Sequence, residues 1–229
     1  MKYPDTVSGH FIRRINRFVA EVSIDGKREN VHVKNTGRLQ ELLTPEAHVM
    51  LEATGNPGRK TRYSLIAVQK NERWVNIDSQ APNAVVYEAL KNGHIPEFPA
   101  IRLLRREVTC GDSRFDLYFE GAGQKGFIEV KGVTLERKGI ALFPDAPTAR
   151  GAKHIGELTK AVQAGYAGVV FFLVQMKGCH AFAPHEQMDK PFAEALKIAE
   201  KAGVQILAYD SLVTGNEIII GHPLEVHIG

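Results

Sequence analysis

The chain has 229 residues, 44% of them hydrophobic, with 29 Lys/Arg against 26 Asp/Glu. That suits one large or two ordinary globular domains, and no basic and apolar leader opens the chain. The longest apolar run, AGVVFFLV at 167–174, is too short to span a bilayer, and the isolated Cys110 and Cys179 form no zinc-type pair and point to a reduced cytoplasm.

The basic excess lies in the first third: residues 1–82 carry 13 Lys/Arg against 9 Asp/Glu, or +4, and residues 83–229 carry 16 against 17, or −1. Five strands are expected between residues 10 and 78: HFIRRINRFVAEVSI, KRENVHVKN, AHVMLEAT, TRYSLIAVQ and RWVNID. Asp25-Gly26 is a hairpin signal, Gly55-Asn56-Pro57-Gly58 a turn cluster, and RLQELL at 38–43 has room for one or two helical turns. This pattern suggests an oligonucleotide-binding-type (OB-like) barrel, with an SH3-like barrel as an alternative. Arg13, Arg14 and Arg17 form one basic cluster, and Arg59, Lys60 and Arg62 another. Interleaved with them are Phe11, Phe18, Tyr63 and Trp74. Cations and rings in one groove suit nucleic-acid strands, but Phe11 and Phe18 are expected in the core.

Ala81-Pro82-Asn83 breaks the all-β pattern and divides an expected barrel, 1–82, from a second domain, 83–229. NAVVYEALKNG reads as a helix capped by Asn83, with Glu88 off its apolar stripe. The strands IRLLRREVT, SRFDLYF and GFIEVKGVTL follow. In SRFDLYF, Asp116 alternates with Phe115 and Leu117. In GFIEVKGV, Glu129 and Lys131 share one face. Two carboxylates and an ammonium can thus converge at one hairpin, an arrangement that suits magnesium-assisted phosphoryl chemistry. A salt-bridged sheet face fits the same spacing.

A rigid FPDAP loop precedes the helix TARGAKHIGELTKAVQAG, with Thr148 as cap. Its Arg150, Lys153, His154, Glu157 and Lys160 share one polar face, set beside the acids or facing water. AGVVFFLV, a helix from near Asp189 and Pro191, and VQILAY form a β-helix-β unit with parallel strands. NEIIIGHPLEV reads as a final edge strand.

The phrases RRINRFVAEV, NTGRLQELL, RKTRYSL, FIEVKGVTL and FPDAPTARGAKHIGEL resemble the sugar fermentation stimulation protein A family across essentially the whole chain. The resemblance implies an OB-like barrel followed by a restriction-endonuclease-like α/β domain of mixed sheet and flanking helices. It also implies DNA binding with little sequence preference and a regulatory link to sugar, particularly maltose, metabolism. The nuclease-type pattern of acid, then acid-any-lysine, maps onto Asp116, Glu129 and Lys131, with Phe115 where that pattern has proline and Glu88 as an auxiliary acid. The implied metal is Mg2+ or Mn2+, held by Glu88, Asp116 and Glu129, with Lys131 positioning the attacking water. The alternatives are a non-catalytic DNA-binding factor that keeps the nuclease scaffold and a carbohydrate-binding barrel.

Overall fold

The computed structural model describes all residues of the chain except 56, 57 and 59. Six strands open it: β1 (Thr6–Arg14), β2 (Val19–Ile24), β3 (Lys27–Val33), β4 (His48–Ala53), β5 (Tyr63–Lys70) and β6 (Arg73–Asn76). Antiparallel pairs β1–β2, β2–β3, β1–β4 and β4–β5, together with a parallel β3–β5 contact, close five of them into an OB-like barrel. The strand expected over residues 10–24 is in fact two. Asn16 breaks it by accepting the Phe18 amide through Oδ1 at 2.8 Å, so the chain doubles back at Ile15–Phe18. Asp25 and Gly26, at φ 49° and 76°, form the expected tight hairpin turn. RLQELL makes a single turn closed by the Leu43 amide on the Leu39 carbonyl at 2.8 Å.

Helix α1 (Ala81–Lys91) starts two residues before the expected cap, with Pro82 in its first turn. Proline is tolerated there because that amide has no partner within a helix. Gln80 occupies the cap position, and Asn83 is freed for another use. Next come β7 (Ile101–Cys110), β8 (Ser113–Gly121), β9 (Gln124–Val133), β10 (Leu135–Arg137), β11 (Ile140–Phe143), α2 (Ala149–Gln163), β12 (Ala167–Val174) and β13 (Ala181–Pro184). The chain ends with α3 (Lys190–Lys201), β14 (Gln205–Val213), β15 (Ile218–Pro223) and β16 (Glu225–Val226).

A mixed six-stranded sheet has the order β15-β14-β12-β9-β8-β7, with β9, β12 and β14 parallel. β12 is buried on both faces. Val169, Phe171 and Leu173 pack toward Val85, Val86 and Leu90 of α1, whereas Val170, Phe172 and Val174 join Ile155 and Leu158 of α2 and Phe192 of α3. That alternation sandwiches the sheet between helices. The short strands β10, β11, β13 and β16 make a separate four-stranded sheet, and the expected terminal edge strand is divided between the two sheets. No helix among the described residues is long and apolar enough to cross a membrane.

Candidate functional site

The β8–β9 ladder runs from Gly121 opposite Gln124 to Leu117 opposite Ile128. At the next position a side chain replaces the ladder: Asp116 Oδ2 accepts the Val130 amide at 2.8 Å, and Oδ1 accepts Asn83 Nδ2 at 2.7 Å. Burial, and then the charge of Glu129, push the Asp116 carboxyl above its ordinary range. β9 meanwhile continues along β12 with Val170 beside Glu129, which buries Glu129 to 2% exposure.

Lys131 follows two residues later on the same strand face and donates from Nζ to Glu129 Oε1 at 2.6 Å. His154 Nδ1 lies 2.7 Å from that same oxygen. The other oxygen, Oε2, is buried with no hydrogen-bond partner among the described residues. Such an orphan costs about 1–3 kcal/mol, and more when charged.

Helix α2 delivers His154. Thr148 Oγ1 caps it by accepting the Gly151 amide at 3.1 Å, while the Thr148 amide donates to Asp189 Oδ2 at 2.6 Å. Glycine is required at 151, because a Cβ there would meet Thr148 Oγ1 at 2.9 Å and Phe192 at 3.3 Å. Arg150 precedes His154 by one turn and donates from Nε to its Nε2 at 3.4 Å. Both reach a cavity of about 380 Å³ shared with Asn83, Asp116, Glu129 and Lys131.

Asp116, Glu129 and Lys131 therefore meet as the sequence predicts, but Glu88 does not join them. It is exposed, sits 2.7 Å from the Met1 ammonium, and lines a different cavity with His94 and Ile219. Five residues after Asn83 place it about 140° around the helix from the side chain that reaches Asp116. Asn83 and His154 were the partners missed. The shared polar face of Arg150 and His154 was the available signal: His154 reaches Glu129, whereas Arg150 lines the same cavity from an exposed position.

The barrel presents a second cavity of about 520 Å³ lined by Arg13, Arg14, Arg17 and Arg38. Arg14 is spent internally: its guanidinium donates to the carbonyls of Arg17, Asn35 and Gly37, each at 2.7 Å. Arg13 pairs with Glu21 at 2.8 Å. Arg17 is exposed, 5.6 Å from the ring centre of Phe18. Phe18 is 50% exposed and so is not core, whereas Phe11 is buried. Arg38, which sequence reasoning missed, joins them from the β3–β4 connection. Lys60 and Arg62 are exposed on the β4–β5 connection, with Arg62 5.5 Å over Tyr63. Arg59 lies outside the described residues.

The family model described as the sugar fermentation stimulation protein RE domain matches residues 80–217, and that of the SfsA N-terminal OB domain matches residues 12–77. The chain belongs to this family. A sugar fermentation stimulation protein homolog of Alkaliphilus oremlandii is 52% identical, covering 99% of this chain and 98% of its own. One from Desulfitobacterium hafniense is 50% identical, with 96% of each chain covered. A solved structure of Pyrococcus furiosus SfsA in complex with Ca2+ superposes with a TM-score of 0.90 at 31% identity, covering 99% of this chain and 98% of the other. This SfsA-family chain thus carries an OB-like barrel and a restriction-endonuclease-like domain.

Proposed function

We propose that this protein is a cytoplasmic DNA-binding factor with little sequence preference that retains a nuclease scaffold, and that it serves the regulation of sugar use from which its family is named. Residues 1–82 engage the nucleic acid and residues 83–229 form the scaffold. The observation that carries this reading is the arginine groove. It lies at the β1–β2 connection, and with Lys60 and Arg62 on the β4–β5 connection it marks the two loops through which OB-type barrels grip oligonucleotides. Arg17 and Arg38 carry the contact, Arg13 contributes at the rim, and Arg14 holds the groove in shape.

A second reading, divalent-metal-dependent phosphodiester hydrolysis, is favoured by the unpartnered, buried Glu129 Oε2 beside Asp116. Two carboxylates are a suitable donor set for a hard cation that keeps several waters, and the related Pyrococcus furiosus protein was solved with Ca2+. Asp116 and Glu129 would hold Mg2+ or Mn2+, without Glu88. When bound, such a cation polarises a phosphate and acidifies water. Lys131 and His154 fix the Glu129 carboxylate through Oε1 and leave Oε2 to the ligand. The Lys131 ammonium also offsets negative charge brought by a phosphate.

Incubating pure protein with labelled single- and double-stranded DNA and RNA, with and without manganese, beside Glu129→Ala, tests both readings. Binding by both proteins without cleavage supports the binding factor. Manganese-dependent cleavage lost in Glu129→Ala establishes the enzyme, and absence of binding to any of the four defeats the first reading.

A further inference from the structure

The charges around the acid cavity balance almost completely. Glu107 pairs with Arg114 at 2.7 Å and Glu129 with Lys131 at 2.6 Å. Asp116 is held by neutral donors, Asn83 and the Val130 amide. Arg150 is the cation of this cavity that no carboxylate holds among the described residues. Its side chain is exposed and donates to the His154 ring. It also sits in the first turn of α2, a helix of 15 residues whose cap takes the Gly151 amide. The amides of Ala149 and Arg150 are donors that a helix cannot satisfy internally, and the helix dipole adds positive potential there.

A second, independent feature points to a ligand in the same cavity. Glu129 Oε2 is buried and unpartnered, which calls for a cation. Three carboxylates, Glu107, Asp116 and Glu129, and the cations Arg114, Lys131 and Arg150 line the cavity. A divalent cation adds two positive charges there, and Arg150 and the start of α2 line the same cavity as donors that no carboxylate holds among the described residues. An anion that bridges those donors and the cation completes the balance.

We propose that the first turn of α2 and the Arg150 guanidinium form a phosphate-binding subsite for a nucleic-acid strand, filled only when Asp116 and Glu129 hold a divalent cation. The subsite rests on the nucleic-acid reading above and couples the two cavities: the barrel groove binds with or without cation, whereas the α2 subsite adds its contact only with it.

The test is fluorescence anisotropy of the full chain with a short labelled single strand, in Ca2+ or in EDTA, for wild type, Arg150→Ala and Arg150→Lys. Melting curves in EDTA verify that the variants fold. In Ca2+, Arg150→Ala should weaken binding about tenfold, as expected for one charge-assisted contact, and flatten the salt dependence by about 0.7. In EDTA it should bind like wild type, and Arg150→Lys should recover most of the Ca2+-dependent affinity. Strands with and without a 5′-phosphate distinguish the source. A gain from the 5′-phosphate that needs both Ca2+ and Arg150 assigns a terminal phosphate. An Arg150 effect that ignores the 5′-phosphate assigns an internal diester. An equal loss with and without Ca2+, or no loss, overturns the subsite while leaving nucleic-acid binding intact. Wild type that binds no strand under either condition overturns both.

Discussion

Two buried carboxylate-lysine clusters of this molecule differ in how completely they are satisfied. Asp78, wholly buried, receives Lys34 Nζ at 3.0 Å and the Tyr3 hydroxyl at 3.3 Å on Oδ2, and the Gln80 amide at 2.9 Å on Oδ1. Lys34 spans to Glu52 at 3.0 Å, and Gln175, just past β12, donates to Asn76 Oδ1 and the Asp78 carbonyl. Both Asp78 oxygens are engaged, and the cluster ties the barrel to the mixed sheet. Around Glu129, lysine and histidine crowd onto one oxygen and the other has no partner among the described residues. The closed cluster leaves no carboxylate oxygen of Asp78 unused, and the open one leaves Glu129 Oε2 unpartnered among the described residues.

The largest effect should come from opening the closed cluster. Lys34→Met leaves Asp78 buried without its cation and should cost about 3–5 kcal/mol in urea unfolding. Lys131→Met should cost clearly less, because Glu129 keeps His154 and already tolerates one bare oxygen. Equal losses would erase the distinction. The pH dependence has a definite sign. Burial alone would lower the Lys34 value, but Asp78 and then Glu52 overcome it, and the net shift is upward. Its contribution is therefore complete below the ordinary lysine range and is lost as pH rises through the raised value. Alkaline melting curves should show a loss that Lys34→Met lacks.

The open cluster should instead respond to cations. At about a hundredfold excess over its dissociation constant, Mn2+ should stabilise wild type by about 2.7 kcal/mol. Asp116→Asn and Glu129→Gln should abolish that gain, and Lys34→Met should retain it. Differential scanning calorimetry with and without the cation decides. If manganese-dependent cleavage is found, Lys131→Met should keep the cation and most DNA affinity while losing at least about 100-fold in rate, or about 2.7 kcal/mol of barrier.

What the sequence made legible follows the range of the interactions. The Asp25-Gly26 turn, the twice-buried β12 and the Thr148 cap are encoded within a few residues of where they act. The meeting of Asp116 with Glu129 needs only one hairpin. His154 lies 25 residues from Glu129 on a helix, so its partner is set by packing against the sheet. Glu88 stands off the apolar stripe of α1, but being off that stripe does not say which polar side it takes, and it lies about 140° around the helix from Asn83. The β1–β2 break carries no glycine or proline, only the Asn16 side chain. The strands β10, β11, β13 and β16, of two to four residues, are too short to show a period.

The arginine groove repeats the same contrast between closed and open on a smaller scale, with Arg14 and Arg17 as its two members. Burial, and then the charge of Arg17, lower the Arg14 value, yet the side chain is held by carbonyls 21, 23 and 24 residues along the chain as well as by that of Arg17. Arg14→Ala should therefore unfold more easily, by about 2 kcal/mol for the loss of charge-assisted hydrogen bonds, and should weaken nucleic-acid binding only through the disturbed loop. Arg17 makes no ion pair among the described residues and leans on an exposed ring. Arg17→Ala should leave the melting temperature within error and lower affinity for all sequences alike. Its salt dependence should flatten by about 0.7 on single strands or about 0.9 on duplex DNA, the release expected for one phosphate contact. If Arg17→Ala binds with unchanged affinity and slope while Arg14→Ala loses both stability and binding, the groove is a structural knot, and the nucleic acid must lie along Lys60 and Arg62 instead.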